Sequence, residues 1–436
     1  MDNINDNGGL NILNSYGAQD IYLKSKGFEN LDNQLFFNET INRHEEFGMG
    51  LIKNDDLLNN NSEEKTSVVK LLAKRQREII YTVPRAGDIL ESTFIKVSLK
   101  ALPDGYYYKN MLMYNIFEFI SMEIGGQKIN TLYNNMMYIN DLINNDVPEH
   151  SRYMHISNNI NDLIEWSKED FELYIPVNIP ISTLNNHIPI ISLTLHDVKF
   201  IALIKNLSSI VENSNSNSNS NSKIDDDKVT DILDEVSIEV YHNFIYLSTE
   251  YRRHLGNSDY SKHTQKVYNG SDNNNIKYTG MEMLMKQTQF TGANIFNGNK
   301  LNTRLDFNHP VSCFYFIITD KFNNIVSDLK FDLLIKLNGH KDISENSNYF
   351  NKYLPRKYLK LKNGFPDGIY FYNYCLNPLD SKPSGSLNFS RINIATLDVN
   401  ITNFKDNGTE LFMHIYANNY QVMRIMSGMA GLAYSK

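Results

Sequence analysis

Cysteine is almost missing from this sequence. Cys313 and Cys375 are the two in 436 residues, too few for a disulfide framework, and they fit a reducing compartment. The polar opening Met1-Asp2-Asn3-Ile4-Asn5 does not read as a secretory leader. Long apolar runs are missing as well. The longest, around Cys313–Ile318 and Ile188–Ile191, fall well short of the roughly 20 residues a bilayer span needs, so a soluble chain without a membrane span is expected. Nor does a run of clustered Lys and Arg, as a duplex-binding surface would want, stand out. With a net charge of −8, a direct nucleic-acid ligand is not expected. There is one tryptophan, Trp166. No phosphate-binding glycine loop, no G-x-S-x-G elbow and no dinucleotide fingerprint occurs.

What is present in excess is asparagine, about 60 residues, a type that suits turns better than helix interiors. The apolar content of 41% is that of a globular chain. At this length roughly three-quarters of the extended surface is buried on folding, and three domains or, equally naturally, two larger β-rich ones are expected.

Periodicity reads β nearly throughout. Ile95, Val97 and Leu99 alternate with polar residues, as do Ile120, Met122 and Ile124, then Val236, Ile238 and Val240, and later Leu397, Val399 and Ile401. One face of each strand is apolar and the other wet, the pattern of antiparallel sheets stacked face to face. Gly125-Gly126 reads as a tight hairpin turn before Gln127. Ile191, Leu193 and Leu195 share one phase while Val198 and Phe200 share the other. A β-bulge or a bend at His196-Asp197 within one strand would account for the slip. Helical spacing is confined to Thr131–Asn145 and Asn161–Lys168. Three polar segments, Asn59–Lys65, the Asn-Ser alternation Asn213–Ser222 running into Asp225-Asp226-Asp227, and Asn257–Asn275, read as surface insertions.

Candidates for chemistry are few. His44-Glu45-Glu46-Phe47-Gly48 begins like a zinc-protease helix but has Gly48 where the second histidine belongs. His196 and Asp197, adjacent on a strand, would point to opposite faces. Asn338-Gly339 before His340-x-Asp342 reads as a turn. Asp225–Asp227 lacks the glycine and glutamate of a calcium loop. The sequons at Asn38, Asn206, Asn269, Asn388, Asn400 and Asn407 are what so much asparagine produces by chance. No catalytic, cofactor-binding or metal-binding residue is assigned.

Short motifs in fixed order carry a resemblance. Ser15-Tyr16-Gly17-Ala18-Gln19-Asp20-Ile21-Tyr22-Leu23 resembles the opening motif of the major capsid proteins of nucleocytoplasmic large DNA viruses. It is followed by Phe36-Phe37 with Asn42-Arg43-His44, then Gly87-Asp88-Ile89-Leu90 and Met122–Ile129 (MEIGGQKI). Leu173–Pro176 and His196–Lys199 come next, then Gln289–Gly292, Phe307–Val311, Leu337–His340, Gly368–Tyr370, Pro383–Arg391 and Arg424–Tyr434. The resemblance implies an all-β tandem double jelly roll, two antiparallel β-sandwiches with one or two short loop helices. Its parts would be an arm over 1–20, a first jelly roll over 21–250 with the Asn-Ser loop near 207–235, a linker over 251–280 and a second roll over 281–436.

It further implies a virion structural protein with no enzymatic activity and no cofactor. Such a subunit is a homotrimer with a pseudo-hexagonal outline that tiles an icosahedral shell. Minor capsid, cement and penton proteins are the implied partners, an inner membrane lies nearby, and assembly takes place in the host cytoplasm. Residues 100–115, 131–170 and the Asn-Ser loop are expected on the exterior, and the arm along the base. A jelly-roll glycan-binding or glycan-processing protein is the alternative, for which the chain offers no paired carboxylates.

Overall fold

Two eight-stranded sandwiches follow one another along the chain and repeat one strand order. The computed structural model describes residues 17–19, 47–54, 77–144, 147, 150–157, 159–179, 187–214, 232–233, 236–247, 252, 281–321, 323–380, 383–403 and 410–434. In the first sandwich β1 (Phe47–Asn54), β2 (Arg77–Thr82), β3 (Ile89–Leu99), β5 (Phe117–Ile124), β6 (Gln127–Tyr133), β7 (Phe171–Pro176), β8 (Val198–Ile204) and β10 (Ser237–Leu247) form two antiparallel sheets. Their orders are β1-β10-β3-β7 and β2-β8-β5-β6. A two-stranded ribbon of β4 (Tyr106–Tyr108) and β9 (Val211–Asn213) is added.

The second sandwich uses β11 (Met281–Ile295), β12 (Lys300–Arg304), β13 (Pro310–Asp320), β14 (Phe331–Leu337), β15 (His340–Asn346), β16 (Ile369–Asn373), β18 (Ala395–Ile401) and β19 (Leu411–Met426). The orders are β11-β19-β13-β16 and β12-β18-β14-β15, with β17 (Leu387–Asn388) beside β13 and β20 (Met429–Leu432) beside β19. Counted as strands one to eight, both sandwiches read 1-8-3-6 over 2-7-4-5, which is the jelly-roll order.

The sequence explains the strands locally. β3 and β8 alternate buried and accessible residues as their apolar period requires. Gly125 and Gly126 both have positive φ (59° and 82°), as do Asn338 (49°) and Gly339 (84°), so each sandwich closes its fourth and fifth strands with a primed two-residue turn. Helices α1 (Leu112–Asn115), α2 (Asn134–Asn144), α3 (Ile160–Trp166) and α4 (Leu354–Tyr358) sit in connections. The spacing foresaw α2 and α3. It missed α1, and it missed α4 with the π-turn Tyr349–Tyr353 that precedes it.

One expectation is corrected. Ile190–Ser192 is a short 3-10 turn, residues 193–197 are an irregular connection, and the strand begins at Val198. The phase slip marks the end of a loop, not a bulge within a strand. The insertions Asn59–Lys65 and Asn257–Asn275, and Asn215–Ser222 with Asp225–Asp227, lie outside the described residues.

Strand registers fix the two ends of each sandwich. In the first, Leu99 lies opposite Phe171, Phe117 opposite Ile204 and Phe119 opposite Tyr133. The connections 55–76, 100–116, 134–170 and 205–236 therefore leave from one end, called distal here. The hairpin Gly125-Gly126 and the connections 83–88 and 177–197 leave from the other, the hairpin end. The second sandwich divides likewise, with 296–299, 321–330, 347–368 and 402–410 distal. Between the sandwiches β6 and β11 run side by side in the same direction, since Ile129 and Asn130 meet Lys286–Thr288 while Tyr133 meets Phe290 at 5.1 Å between ring centroids. Both distal ends therefore point the same way.

Candidate functional site

The hairpin end is where residues distant in sequence converge, and the convergence is built from the quoted motifs. Asn130, 4% exposed, sits on the edge strand β6 and treats the edge strand β11 as a neighbouring strand would. Its Nδ2 donates to Lys286 O at 3.0 Å and its Oδ1 accepts from Thr288 N at 3.2 Å. Gln287 Nε2 donates back to Ile129 O. Side-chain amides thus satisfy backbone groups that two abutting sheet edges would leave open. Apolar side chains cross the junction in both directions. Met283, Met285, Met423, Ile425 and Ala430 join the core of the first sandwich, and Met136 and Ile139 of α2 join the core of the second. Fully burying a side chain of this size stabilises by about 1.5–3 kcal/mol.

The loop 193–197 closes the same seam. Leu195 N donates to Gly428 O at 2.9 Å. Ala430 N donates to His196 Nδ1 at 3.2 Å, and Leu432 N donates to Gln127 Oε1 at 3.1 Å. The His196 ring fills the space that a β-carbon on Gly125 would need, and Thr194 Oγ1 does the same at Gly428. Arg85 holds the loop from the outside, donating to Leu193 O, to His196 O and to Asp197 Oδ1.

A second convergence ties the N-terminal motif to the second sandwich. His309 is 3% exposed at φ 65°. Gln421 Nε2 donates to its Nε2 at 3.2 Å, with the Gln421 orientation fixed because its Oε1 accepts from Val422 N. On the other side of the ring the Gln19 side-chain amide reaches Nδ1, with its Nε2 at 3.0 Å and its Oε1 at 3.4 Å. His309 N donates to Ser390 Oγ, Phe389 N donates to His309 O, and Asn388 Oδ1 accepts from Ser390 N to cap the turn Phe389–Arg391. Gly17 lies against the Arg391 guanidinium.

The residues singled out for chemistry stay apart. His196 and Asp197 serve different partners, as above. His340 is exposed at the start of β15. Asp342 accepts from the Tyr372 and Tyr374 hydroxyls at 3.2 and 3.0 Å, and burial pushes its carboxyl above the usual range. Cys313 and Cys375 are buried free thiols, the second pushed by burial up to about 12. His44 and Asp225–Asp227 lie outside the described residues, among which no group of three or more His, Cys, Asp and Glu is arranged to hold a metal ion. No helix among them is long and apolar enough to cross a membrane. Of the sequons, Asn206 and Asn388 spend their side chains capping 3-10 turns.

Comparison with known proteins decides what this architecture is. Residues 36–248 match the family described as major capsid protein N-terminus, and residues 332–431 match that of the large eukaryotic DNA virus major capsid protein. This chain belongs to the major capsid proteins of the nucleocytoplasmic large DNA viruses. The major capsid protein of Paramecium bursaria Chlorella virus 1 is 25% identical over 494 residues, covering 98% of this chain and 99% of the relative. That of Pyramimonas orientalis virus is 23% identical over 457 residues, with the same coverage. The crystal structure of PBCV-1 VP54, fitted into a reconstruction of the virophage Sputnik, superposes with a TM-score of 0.67 at 22% identity, over 89% of this chain and 97% of that one. The fold is the double jelly roll, and the role of this capsid protein is structural. Signatures such as MEIGGQKI, HDVK and RIMSGMAGLAY are the parts of the seam between its two rolls.

Proposed function

We propose that the chain is a shell-forming subunit working as a closed homotrimer of pseudo-hexagonal outline, without catalysis. Three head-to-tail contacts close a ring of six sandwiches, and weaker edge contacts repeat that ring across an icosahedral surface. One observation supports the reading above others: two rolls of identical strand order stand side by side with both distal ends pointing the same way. Such a subunit has a sealed end and an end free to carry long connections. The distal end is taken as the exterior. The stretches 100–115 and 131–170, and the chain between β9 and β10 that holds the Asn-Ser tract, all leave from it. The hairpin end, where Gln19 meets His309, is taken as the base along which the N-terminal arm lies.

In this reading residues 1–20 are the arm, 21–250 the first roll, 251–280 the linker and 281–436 the second roll. The described strands of the two rolls run from Phe47 to Leu247 and from Met281 to Leu432. Minor capsid, cement and penton proteins would complete a virion shell assembled in the host cytoplasm around an inner membrane. Size-exclusion chromatography with light scattering should return a trimer mass for the purified protein, and a monomer would count against the proposal. On intact particles, a protease should nick the Asn-Ser tract, whereas protection there would place the distal end inside.

A further inference from the structure

The two rolls differ in charge far more than the net value of −8 suggests. Residues 1–280 hold 25 Lys and Arg against 38 Asp and Glu, a balance of −13. Residues 281–436 hold 17 against 12, a balance of +5. Five of those 17 fall within eleven residues, Lys352, Arg356, Lys357, Lys360 and Lys362, and no acidic residue occurs between Glu345 and Asp367. This cluster was not legible as a basic run in the sequence because Leu354, Pro355 and Leu359 interrupt it. The fold removes the interruption. Those three turn inward and are buried, while all five basic side chains and Tyr353 are exposed along the π-turn, α4 and the residues that follow it.

The surface is ordered locally. Tyr353 stacks on Tyr349 at 5.3 Å, and the Lys357 ammonium sits 5.9 Å from the Tyr353 ring and 4.9 Å from that of Tyr358. Lys352 is held by Asp367 at 3.0 Å. Arg356, Lys357, Lys360 and Lys362 make no ion pair among the described residues. The strip occupies the connection between the fifth and sixth strands of its roll, at the distal end.

The topologically equivalent connection of the first roll is acidic. Residues 134–170 carry seven acidic residues, Asp162, Glu165, Glu169 and Asp170 among them, against Arg152 and Lys168, at the same end of the molecule. Lys100 meets Asp170, and Arg152 meets Glu169, whereas Glu165 is exposed and makes no ion pair among the described residues. A head-to-tail arrangement of tandem rolls sets second roll against first roll at every contact between copies. Opposite charge on the two rolls favours that pairing and penalises first-on-first and second-on-second.

We propose that the basic strip Lys352–Lys362 is a docking surface for the acidic first roll of a second copy of this chain, and that it fixes the head-to-tail register of the capsomer. The proposal rests on the self-assembly reading above. Long-range attraction between unlike patches speeds and orients encounter, and salt screens it over about 8–10 Å. Arginine and lysine beside exposed tyrosine suit carboxylate partners at such a rim.

The test uses the full chain with Arg356→Glu, Lys357→Glu and Lys360→Glu combined, beside the unaltered protein. Both are followed by light scattering from low to high salt, with thermal melting as a control on folding. The expected result is an unchanged melting temperature, trimer formation slowed at least tenfold at low salt, and a difference that narrows as salt rises. Carbodiimide cross-linking of trimers mixed from isotopically light and heavy chains should join Lys357, Lys360 or Lys362 of one copy to a carboxylate of the other copy's first roll. Equal trimer formation by the variant, or cross-links confined to second-roll pairs, would overturn the proposal while leaving the self-assembly reading intact. So would a normal variant trimer that has lost only its retention on heparin, which would reassign the strip to a polyanion. An unaltered protein that stays monomeric would instead remove the reading on which the proposal rests.

Discussion

The imidazole of His196 stands where a side chain on Gly125 would have to be, and Ala430 N donates to its Nδ1. One ring therefore joins the hairpin of the first roll, the loop before β8 and the C-terminal hairpin of the second roll. Gly125 and Gly126 share positive φ, but a β-carbon on Gly126 would meet open space. Gly126→Ala should lose only the left-handed backbone cost of about 1–2 kcal/mol. Gly125→Ala should add displacement of His196 and lose about 3 kcal/mol or more. Urea unfolding of the two variants side by side decides this; equal losses would mean the ring is not held in the seam.

Acid should weaken the protein through three buried histidines. Burial pushes His155, His242 and His414 down to about 4, from an ordinary value of 6.5. The unfolded chain then binds more protons than the folded one between those values. The stabilisation is complete above pH 6.5 and is lost as pH falls toward 4, by up to about 1.4 kcal/mol per pH unit for each ring. Melting temperatures measured from pH 7 to 4.5 should drop steadily, and a flat profile would contradict the burial of these rings.

Thiol reactivity should be all or none. Cys313 and Cys375 are buried, and burial raises both thiols, so little thiolate forms near neutral pH. Mass spectrometry after maleimide treatment should find no adduct on the native protein and two per chain after denaturation.

Removing the Asn130 amide should loosen the seam without emptying either core. Asn130→Ala leaves Lys286 O and Thr288 N without their side-chain partner, a cost of about 2–3 kcal/mol. Faster hydrogen exchange at Thr288, with β3 and β13 unchanged, is the expected signature.

Much of the strand content was legible because period-two patterns and paired turn residues are local. Gly125-Gly126 and Asn338-Gly339 announced their hairpins, and β8 began at the Val198 that its phase required. The loop 193–197 misled because Leu195 keeps strand phase with Leu193 yet is 69% exposed, its backbone reaching Gly428 of the other roll. No pattern within one segment encodes a contact across more than two hundred residues. The π-turn and α4 were hidden by Pro355, a helix breaker in most positions but tolerated in a first turn. The motifs named the family, yet that the His196 ring meets both Gly125 and Ala430 emerged only from the fold.

The amide bracket of Asn130 and Gln287 has a further effect on crowding. β6 and β11 each end a sheet, and a bare strand edge is a template on which another molecule can add a strand and start a fibril. A protein made to coat a surface in many copies meets itself constantly and at high density. By turning two raw edges toward each other and bridging them with side chains, the chain withdraws both from that hazard. At these two edges encounters between molecules are then left to side chains, which can be reversible, and not to backbone ladders, which seldom are.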